Sequence, residues 1–196
     1  WEGGVRVPSI IEWPAVIKKP EVSNVPCGTI DIYPTVLAIT GAKVSHQPQL
    51  DGVSLLPLIE GEMTARDKPM GFWTYPEKGH PKRSTDILIA LQKQQKPGQP
   101  NPEGPVPDAD AGSLKKQYSK EELPGAASLV DGNFKLLKME TKQGKPKYTL
   151  YDLEKDPGEK HDLSKVDPQR LKKMKATLTG WQESVVDSLN GKDYAD

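Results

Sequence analysis

The side chains that could carry out nucleophilic or metal chemistry are few and scattered in this sequence. None of the three histidines (His46, His80 and His161) belongs to a His-x-His or His-Glu-x-x-His pattern, so each is interpreted as a surface or structural residue. The single cysteine, Cys27, has no base or oxyanion donor that the sequence identifies. We therefore expect it to be a small core or loop residue rather than a nucleophile.

A group of carboxylates after Tyr151 could bind a cation. The carboxylates alternate with Lys155 and Lys160, and oxygen ligands of this kind suit hard metal ions. Their spacing does not match an EF-hand loop, which needs glycine at its sixth position and glutamate at its twelfth. We interpret the segment as a solvated turn whose carboxylates are Asp152, Glu154, Asp156 and Glu159.

The composition narrows the classes of protein that could use these residues. The 196 residues include 27 Lys plus Arg and 27 Asp plus Glu, so the formal net charge is zero. Nucleic-acid-binding proteins normally show a basic excess, so no nucleic-acid partner is expected. One cysteine excludes an internal disulfide and a multi-cysteine metal site. No run approaches the ~20 apolar residues of a membrane span, so none is predicted.

The first residues of the sequence indicate a fragment. The chain opens on Trp1, with neither a methionine nor a leader peptide. We expect a fragment of a longer protein, in which a missing leader carries no information about secretion.

Residues 1–62 are predicted to be the C-terminal tail of a large mixed-sheet α/β domain. An extended apolar stretch, Val5–Trp13, comes first. A short helix is expected over Asp31–Thr40, with Asp31 as its N-cap and Gly41 as its stop, and a second one over Leu55–Glu60. The first helix presents one apolar face, made by Ile32, Val36 and Ile39.

Residues 63–196 are predicted to form a smaller α+β subdomain, a small antiparallel sheet with a packed C-terminal helix. Short strands are expected at Gly71–Tyr75 and Asp86–Leu91. A Pro/Gly-rich insertion at about 92–124 has no apolar periodicity, and it is interpreted as a surface insertion, with a functional loop as the alternative.

The clearest strand signals follow the insertion. Ser128–Val130 and Phe134–Met139 flank Asp131-Gly132, a pair that accepts the positive φ angles of a type I′ turn. A further strand is expected over Lys147–Leu153. These strands predict an antiparallel meander.

The clearest helix is predicted over residues 168–189. Asp167 caps it, Pro168 occupies its first position, and Gly191 follows its end. Gln182 is placed outside its apolar stripe, which consists of Leu171, Met174, Leu178, Trp181, Val185 and Leu189. We expect this stripe to pack on one face of the sheet.

Five segments match a known family in order and cover most of the chain outside 92–124. They are Trp1–Pro8 with Trp13-Pro14, Asp31–Thr35 with Thr40-Gly41, Leu50–Leu55 with Pro57-Leu58, Leu129–Leu136, and Leu150–Leu153 with Asp156–Glu159 and Asp162-Leu163. Together they resemble the C-terminal part of a sulfatase of the arylsulfatase type, in the alkaline-phosphatase superfamily.

The resemblance implies an enzyme that hydrolyses sulfate esters with calcium and formylglycine. In the family, formylglycine is made from the first residue of a Cys/Ser-x-Pro-x-Arg motif. That motif and the metal ligands lie upstream of the position of Trp1. Cys27 is followed by Gly-Thr-Ile and does not match the motif. We therefore expect no catalytic residue, metal ligand or cofactor in this chain, and the missing N-terminal catalytic part as its partner.

The resemblance implies that this chain contributes the rim of the substrate pocket. A polar and aromatic stretch after the first strand of the smaller subdomain suits stacking on a sugar or aryl ring, although a packed strand end is the rival interpretation. The rim candidates are Glu2, Arg6, Trp73, Tyr75, Glu77 and His80.

Alternative functions stay open at this point. One is a non-catalytic carbohydrate-binding or interaction module, and the other is part of a related phosphodiesterase or phosphonate hydrolase. The implied substrate is a sulfated carbohydrate or an aryl sulfate. The resemblance also implies a periplasmic, extracellular or lysosomal protein.

Overall fold

A computed structural model describes residues 5–74, 118–141 and 144–194 of the chain. The first of these ranges contains a 3-10 turn, Thr29–Asp31, and two short helices, α1 (Ile32–Thr40) and α2 (Leu56–Ile59). Gly41 ends α1 with a φ of 66°, as predicted. The predicted strand Asp86–Leu91 lies outside the described residues.

The rest of the described chain is a four-stranded antiparallel sheet followed by a long helix. The strands are β1 (Met70–Trp73), β2 (Ala127–Asp131), β3 (Phe134–Glu140) and β4 (Pro146–Asp152), in the order β1-β2-β3-β4. Helix α3 (Pro168–Leu189) has the predicted bounds, and a 3-10 turn, Lys192–Tyr194, follows it. The Asp167 side chain caps α3 by accepting the Arg170 N–H at 2.9 Å. None of the described helices is long and apolar enough to cross a membrane.

The hairpin between β2 and β3 forms where the sequence predicts it, but with a different turn. Asp131 pairs with Phe134, so the central residues are Gly132 and Asn133 rather than Asp131 and Gly132. Only Gly132 has a positive φ (57°), whereas a type I′ turn requires it at both central positions. The predicted turn was wrong because Asp131 is retained as the last residue of β2 by its pairing.

The core lies between α3 and one face of the sheet, as predicted. The register aligns Leu129, Leu136 and Leu150 in one row across β2, β3 and β4. All three leucines are buried, together with Met174 and Leu178 of α3. The predicted small antiparallel sheet with a packed C-terminal helix is therefore confirmed.

The last two turns of α3 bury a different set of residues from the predicted stripe. Gln182 and Val186 are fully buried, whereas Val185 is partly exposed and Leu189 is 37% exposed. Gln182 and Val186 follow Leu178 at steps of four residues, and residues at this spacing lie on the same face of a helix. The same face of α3 therefore packs on the sheet through these turns. The placement of Gln182 outside the packed face was wrong. Its polar side chain suggested a surface position, whereas the helical period assigns position 182 to the packed face.

Trp181 lies at the β1 end of the sheet, above a glycine. Gly71 faces α3 because it pairs with Leu129, which belongs to the core row. A Cβ atom on Gly71 would lie 2.4 Å from the Trp181 ring. A second indole, that of Trp73, meets Trp181 edge-on with 6.5 Å between the ring centroids. Gly71 thus creates the space into which the Trp181 ring packs.

The apolar surface of the N-terminal third is largely exposed. Residues 5–13 contain no strand, and Ile10 is 93% exposed. The apolar face of α1 is also open to solvent at Ile32, Val36 and Ile39. Exposed apolar patches of this kind mark surfaces that bind another part of a protein. The division into segments 1–62 and 63–196 stays a prediction.

The contact between Gly71 and Trp181 gives a paired test of the core. Gly71→Ala should lower the free energy of unfolding by about 1–3 kcal/mol because the ring must move. Trp181→Ala should lower it by about 3–5 kcal/mol. In the matched control, Gly180→Ala, the new methyl group meets no atom within 4 Å, and the gain in helix propensity should stabilise the protein by up to ~1 kcal/mol. Urea unfolding midpoints measure all three, and equal midpoints for Gly71→Ala and Gly180→Ala would contradict the packing.

Candidate functional site

Two of the six rim candidates lie in the described residues. Arg6 is exposed in the extended N-terminal segment, and Trp73 is the last residue of β1. The other four, Glu2, Tyr75, Glu77 and His80, lie outside the described residues. The structure therefore does not bring the six together in one site, and their substrate role stays a prediction.

Trp73 is held on the core side of the sheet. Its Nε1 donates a hydrogen bond to the Pro124 carbonyl oxygen at 2.7 Å, and its ring packs against the core cluster and Trp181. The side chain is only partly exposed. These contacts hold the Trp73 ring against the core.

The segment 118–125 returns the chain to the sheet beside Trp73. Asn190 follows α3 and makes two hydrogen bonds to the Tyr118 backbone. Its Oδ1 accepts the Tyr118 N–H at 2.7 Å, and its Nδ2 donates to the Tyr118 carbonyl oxygen at 2.9 Å. Lys120 pairs with Asp187, and the Lys138 ammonium donates to the Leu123 carbonyl oxygen. Segment 118–125 thus runs along the end of α3 before it enters β2.

The carboxylates after Tyr151 are engaged within the protein. Asp152 accepts the N–H groups of Glu154 and Lys155, and Asp156 accepts those of Lys160 and His161, both at 2.7 Å. Hydrogen bonds from the His161 and Lys160 backbone, which outweigh the effect of burial, lower the pKa of Asp156. The interpretation as a turn is supported for these residues.

Glu159 departs from that interpretation because it is buried. Its Oε1 accepts a 2.6 Å hydrogen bond from the Lys135 ammonium, and both side chains are 1% exposed. Glu159 also adopts a φ of 53°. The prediction of a solvated side chain was wrong here, since the neighbouring charged residues gave no sign of a partner 24 positions away.

The described histidines and the cysteine form no catalytic group. His46 and Cys27 are exposed. His161 is exposed, with its Nδ1 3.5 Å from Asp156. Within the described ranges, no three His, Cys, Asp or Glu side chains are grouped so that they could hold a metal ion. These placements agree with the interpretation of His46 and His161 as surface or structural residues, and of Cys27 as a loop residue rather than a core residue.

The most elaborate polar arrangement in the described chain centres on Asp31, which the sequence suggested only as a helix cap. Arg66 donates to both carboxylate oxygens of Asp31 at 2.8 Å, and the N–H groups of Gly28 and Val53 donate at 2.8 Å as well. Asp31 is fully buried. Its side chain makes no cap bond to α1. The residue therefore joins the start of α1 to the loop around Val53 and to the segment before β1.

The pKa of Asp31 reports the strength of this arrangement. Burial by itself raises the pKa, but the hydrogen bonds from Arg66, Val53 and Gly28 outweigh it, so the pKa is lowered from its usual value. The carboxylate thus stays ionised and acts as the fixed charge that holds Arg66. No sequence signal identifies Arg66, which lies 35 positions away in a polar stretch.

The chain is similar in sequence to sulfatases. It is 37% identical to human steryl-sulfatase over 96 residues, which are 46% of this chain and 16% of the relative. It is 45% identical to human arylsulfatase H over 67 residues, 34% of this chain and 12% of that protein. A sulfatase of Formosa agariphila is 40% identical over 80 residues, 39% of this chain and 14% of that protein. The matched part is thus less than a fifth of each relative. No protein-family model matches the chain.

One solved structure shows where the fold occurs. A chain described with the metabolism of multiple glycosaminoglycans by Bacteroides thetaiotaomicron superimposes with a TM-score of 0.58 at 18% identity. The likeness covers 93% of this chain and 30% of that chain, so the fold recurs there as part of a larger α/β protein.

The sequence relatives are sulfuric ester hydrolases by name. The chain is a homologue of sulfatases of the arylsulfatase type, and its partial coverage of them fits a C-terminal portion. The resemblance read from its motifs is confirmed.

The pKa shift of Asp31 makes a prediction about acid stability. Because its folded pKa lies below the unfolded value, Asp31 contributes its full stability above about pH 4, and the contribution is lost as the pH falls through the folded pKa. Asp31→Asn leaves Arg66 buried without its counter-charge and should cost about 3–5 kcal/mol at pH 7. The difference from the native protein should shrink below pH 4.

Unfolding free energies in urea at pH 7, 5, 4 and 3 measure this difference. The matched control is Asp51→Asn, a change at an exposed aspartate, which should leave the pH profile of stability unaltered. A constant difference between Asp31→Asn and the native protein across the series would show that folding does not shift the pKa of Asp31, which would contradict its stabilisation by Arg66.

Proposed function

We propose that this chain is the C-terminal part of a sulfuric ester hydrolase that uses formylglycine and calcium. The observation that carries the proposal is the 37% identity to human steryl-sulfatase over 96 residues, together with the ordered motifs from Asp31 to Asp162. In this proposal, residues 1–196 supply scaffold and the rim of the substrate pocket. The nucleophile and the metal ligands belong to the preceding part of the protein.

The side chains of the described residues do not fit a calcium site of their own. Of the candidate ligands, Asp152 and Asp156 accept backbone N–H groups, Glu154 accepts the Asn133 side-chain amide, and Glu159 pairs with Lys135. Asp31 is saturated by Arg66 and two N–H groups. We therefore assign no catalytic step to this chain.

The scaffold role is supported by the exposed apolar surface of the N-terminal third. Ile32, Val36 and Ile39 on α1, and Ile10 and Ile11 before it, are exposed to solvent in this chain. In the proposed enzyme, these side chains pack on the catalytic part. The Asp31–Arg66 pair then fixes α1 relative to the chain that enters β1, since both ends of the pair are buried.

The rim role is assigned to Glu2, Arg6, Trp73, Tyr75, Glu77 and His80. The Arg6 guanidinium provides a permanent positive charge for a sulfate ester or an acidic sugar. Trp73 is fixed at the end of β1 by its contacts with Pro124 and Trp181, and Tyr75, Glu77 and His80 follow it in the sequence. A sulfated carbohydrate or an aryl sulfate would contact Arg6 and the residues from Trp73 to His80 as it enters the pocket.

The first test of the function is turnover by the full-length protein that contains residues 1–196. We expect hydrolysis of 4-nitrophenyl sulfate, abolished by replacing the first residue of its Cys/Ser-x-Pro-x-Arg motif with alanine. Residues 1–196 alone should show neither turnover nor stoichiometric micromolar calcium binding by calorimetry. Either activity in the isolated chain would overturn the assignment of catalysis to the preceding part.

The same assay separates the alternatives. Hydrolysis of bis(4-nitrophenyl) phosphate at a higher kcat/KM than the sulfate ester would identify a phosphodiesterase. Binding of a carbohydrate without hydrolysis of any ester, in a full-length protein that lacks the Cys/Ser-x-Pro-x-Arg motif, would identify a binding module.

The rim assignment is tested at Arg6. Arg6→Ala in the full-length protein should lower kcat/KM for a sulfated substrate by roughly 10–100-fold, because a charge-assisted contact is worth about 1.5–3 kcal/mol. Lys43→Ala, a change at another exposed cation, is the control and should leave kcat/KM unchanged. Equal kinetics for the two variants would remove Arg6 from the rim. Truncation of Trp73 is no clean test, since it would also disturb the core.

A further inference from the structure

One amide side chain fastens the end of α3 to segment 118–125. Asn190 Oδ1 accepts the Tyr118 N–H at 2.7 Å, and Asn190 Nδ2 donates to the Tyr118 carbonyl oxygen at 2.9 Å. Asp187, in the last turn of the helix, pairs with Lys120 of the same segment. A carboxamide offers an acceptor and a donor side by side, whereas a carboxylate offers acceptors alone. Both hydrogen bonds to Tyr118 therefore require that residue 190 keeps its amide.

The residue after Asn190 is the glycine that follows the helix. Gly191 has a φ of 83°, a value that favours glycine, and its N–H donates to the Ser188 carbonyl oxygen at 2.9 Å. Of the four asparagines in the sequence, only Asn190 precedes a glycine. Because glycine has no Cβ atom, nothing shields its backbone nitrogen from the side chain before it. The Asn190-Gly191 pair thus combines a structural amide with an unhindered neighbouring nitrogen.

We propose that Asn190-Gly191 is a site of spontaneous deamidation, blocked while segment 118–125 is fastened to α3 and available when the segment opens. The Gly191 nitrogen attacks Asn190 Cγ and gives up its proton, and the new C–N bond closes a cyclic imide. The bond between Cγ and Nδ2 breaks, and ammonia leaves with that proton. Water then opens the imide at either carbonyl, which leaves aspartate or isoaspartate at position 190. The net change is the hydrolysis of one amide by water.

The folded geometry keeps the two reacting groups apart. The hydrogen bonds to Tyr118 fix the plane of the Asn190 amide, and the hydrogen bond to Ser188 directs the Gly191 N–H back along the helix. These hydrogen bonds must break before the Gly191 nitrogen can reach Cγ. The reaction therefore proceeds through the fraction of molecules in which this end of the helix is locally open.

Deamidation also prevents the segment from fastening again. An aspartate at position 190 has no Nδ2 donor, so a carboxylate oxygen would face the Tyr118 carbonyl oxygen. Its new negative charge lies three positions after Asp187, where like charges repel. Isoaspartate carries an additional backbone carbon, which moves the side chain away from both Tyr118 groups. The modification thus makes a reversible opening permanent.

The first experiment follows residue 190 by mass spectrometry in the full-length protein that contains residues 1–196. The protein is incubated at pH 8, either folded or unfolded in urea. We expect Asn190 to deamidate at least about tenfold faster in the unfolded protein, since the folded protein reacts only when it is locally open. Asn133, which Phe134 follows, is the internal control and should react more slowly in the unfolded protein. Equal rates at Asn190 in both states, or no reaction there in urea, would overturn the proposal.

A second variant tests whether segment 118–125 provides the protection. Tyr118→Pro removes the N–H that Asn190 accepts and leaves Asn190-Gly191 unchanged. In the folded variant, deamidation should be about twofold to tenfold faster, the range expected for the loss of one hydrogen bond. Lys43→Pro, which adds a proline to the loop after α1, is the matched control and should leave the rate unchanged. An unchanged rate in folded Tyr118→Pro would show that the helix end alone protects Asn190, and the coupling would be disproved.

The consequence of the modification is tested with Asn190→Asp, which reproduces one product. Backbone amides of residues 119–123 should exchange their hydrogens about tenfold faster than in the native protein, because the segment is no longer held by both bonds. Asn133→Asp makes the same chemical change in the β2–β3 turn and should leave this exchange unaltered. Native exchange rates in Asn190→Asp would show that a carboxylate still fastens the segment, which contradicts permanent release. All three experiments are independent of sulfate-ester hydrolysis, so their failure leaves the proposed function untouched.

Discussion

The packing of α3 on one face of the sheet is the interaction on which the described C-terminal half depends. A four-stranded sheet of this size has little stability without a partner for its apolar face. The row formed by Leu129, Leu136 and Leu150 is buried only because Met174 and Leu178 of α3 cover it. Everything that surrounds the helix, including the return of segment 118–125 along Asn190, takes its position from this contact.

Buried charges then fix geometry that apolar packing leaves free. Lys135 reaches Glu159 across the turn after β4, and Arg66 reaches Asp31 across the start of α1. Pairs of this kind add little net stability over an apolar replacement, but loss of one partner is strongly destabilising. They therefore specify which segments lie together, and they draw carboxylates inward.

Local signals in the sequence predicted the sheet and α3 well. Asp167-Pro168 and the apolar period defined α3, and the turn residues near Gly132 defined the hairpin. Features that depend on distant partners were not predictable in this way. Asp31 looked like a cap because its partner Arg66 lies 35 positions away, and Gln182 looked like a surface residue because only the docked helix buries it. Of the rim candidates, Trp73 was found at the end of a strand, but its contacts with Pro124 and Trp181 required the fold.

The two halves of the chain differ in how much of their apolar surface is exposed, and this difference supports the proposed scaffold role. The C-terminal half buries its apolar residues between α3 and the sheet, whereas the N-terminal third exposes Ile10, Ile32 and Val36. Helices α1 and α2 are only one to three turns long, and each has one short apolar face. They therefore cannot bury the exposed apolar side chains of the N-terminal third against each other. A larger neighbouring domain can cover them. Under the proposed function, that neighbour is the preceding part of the protein.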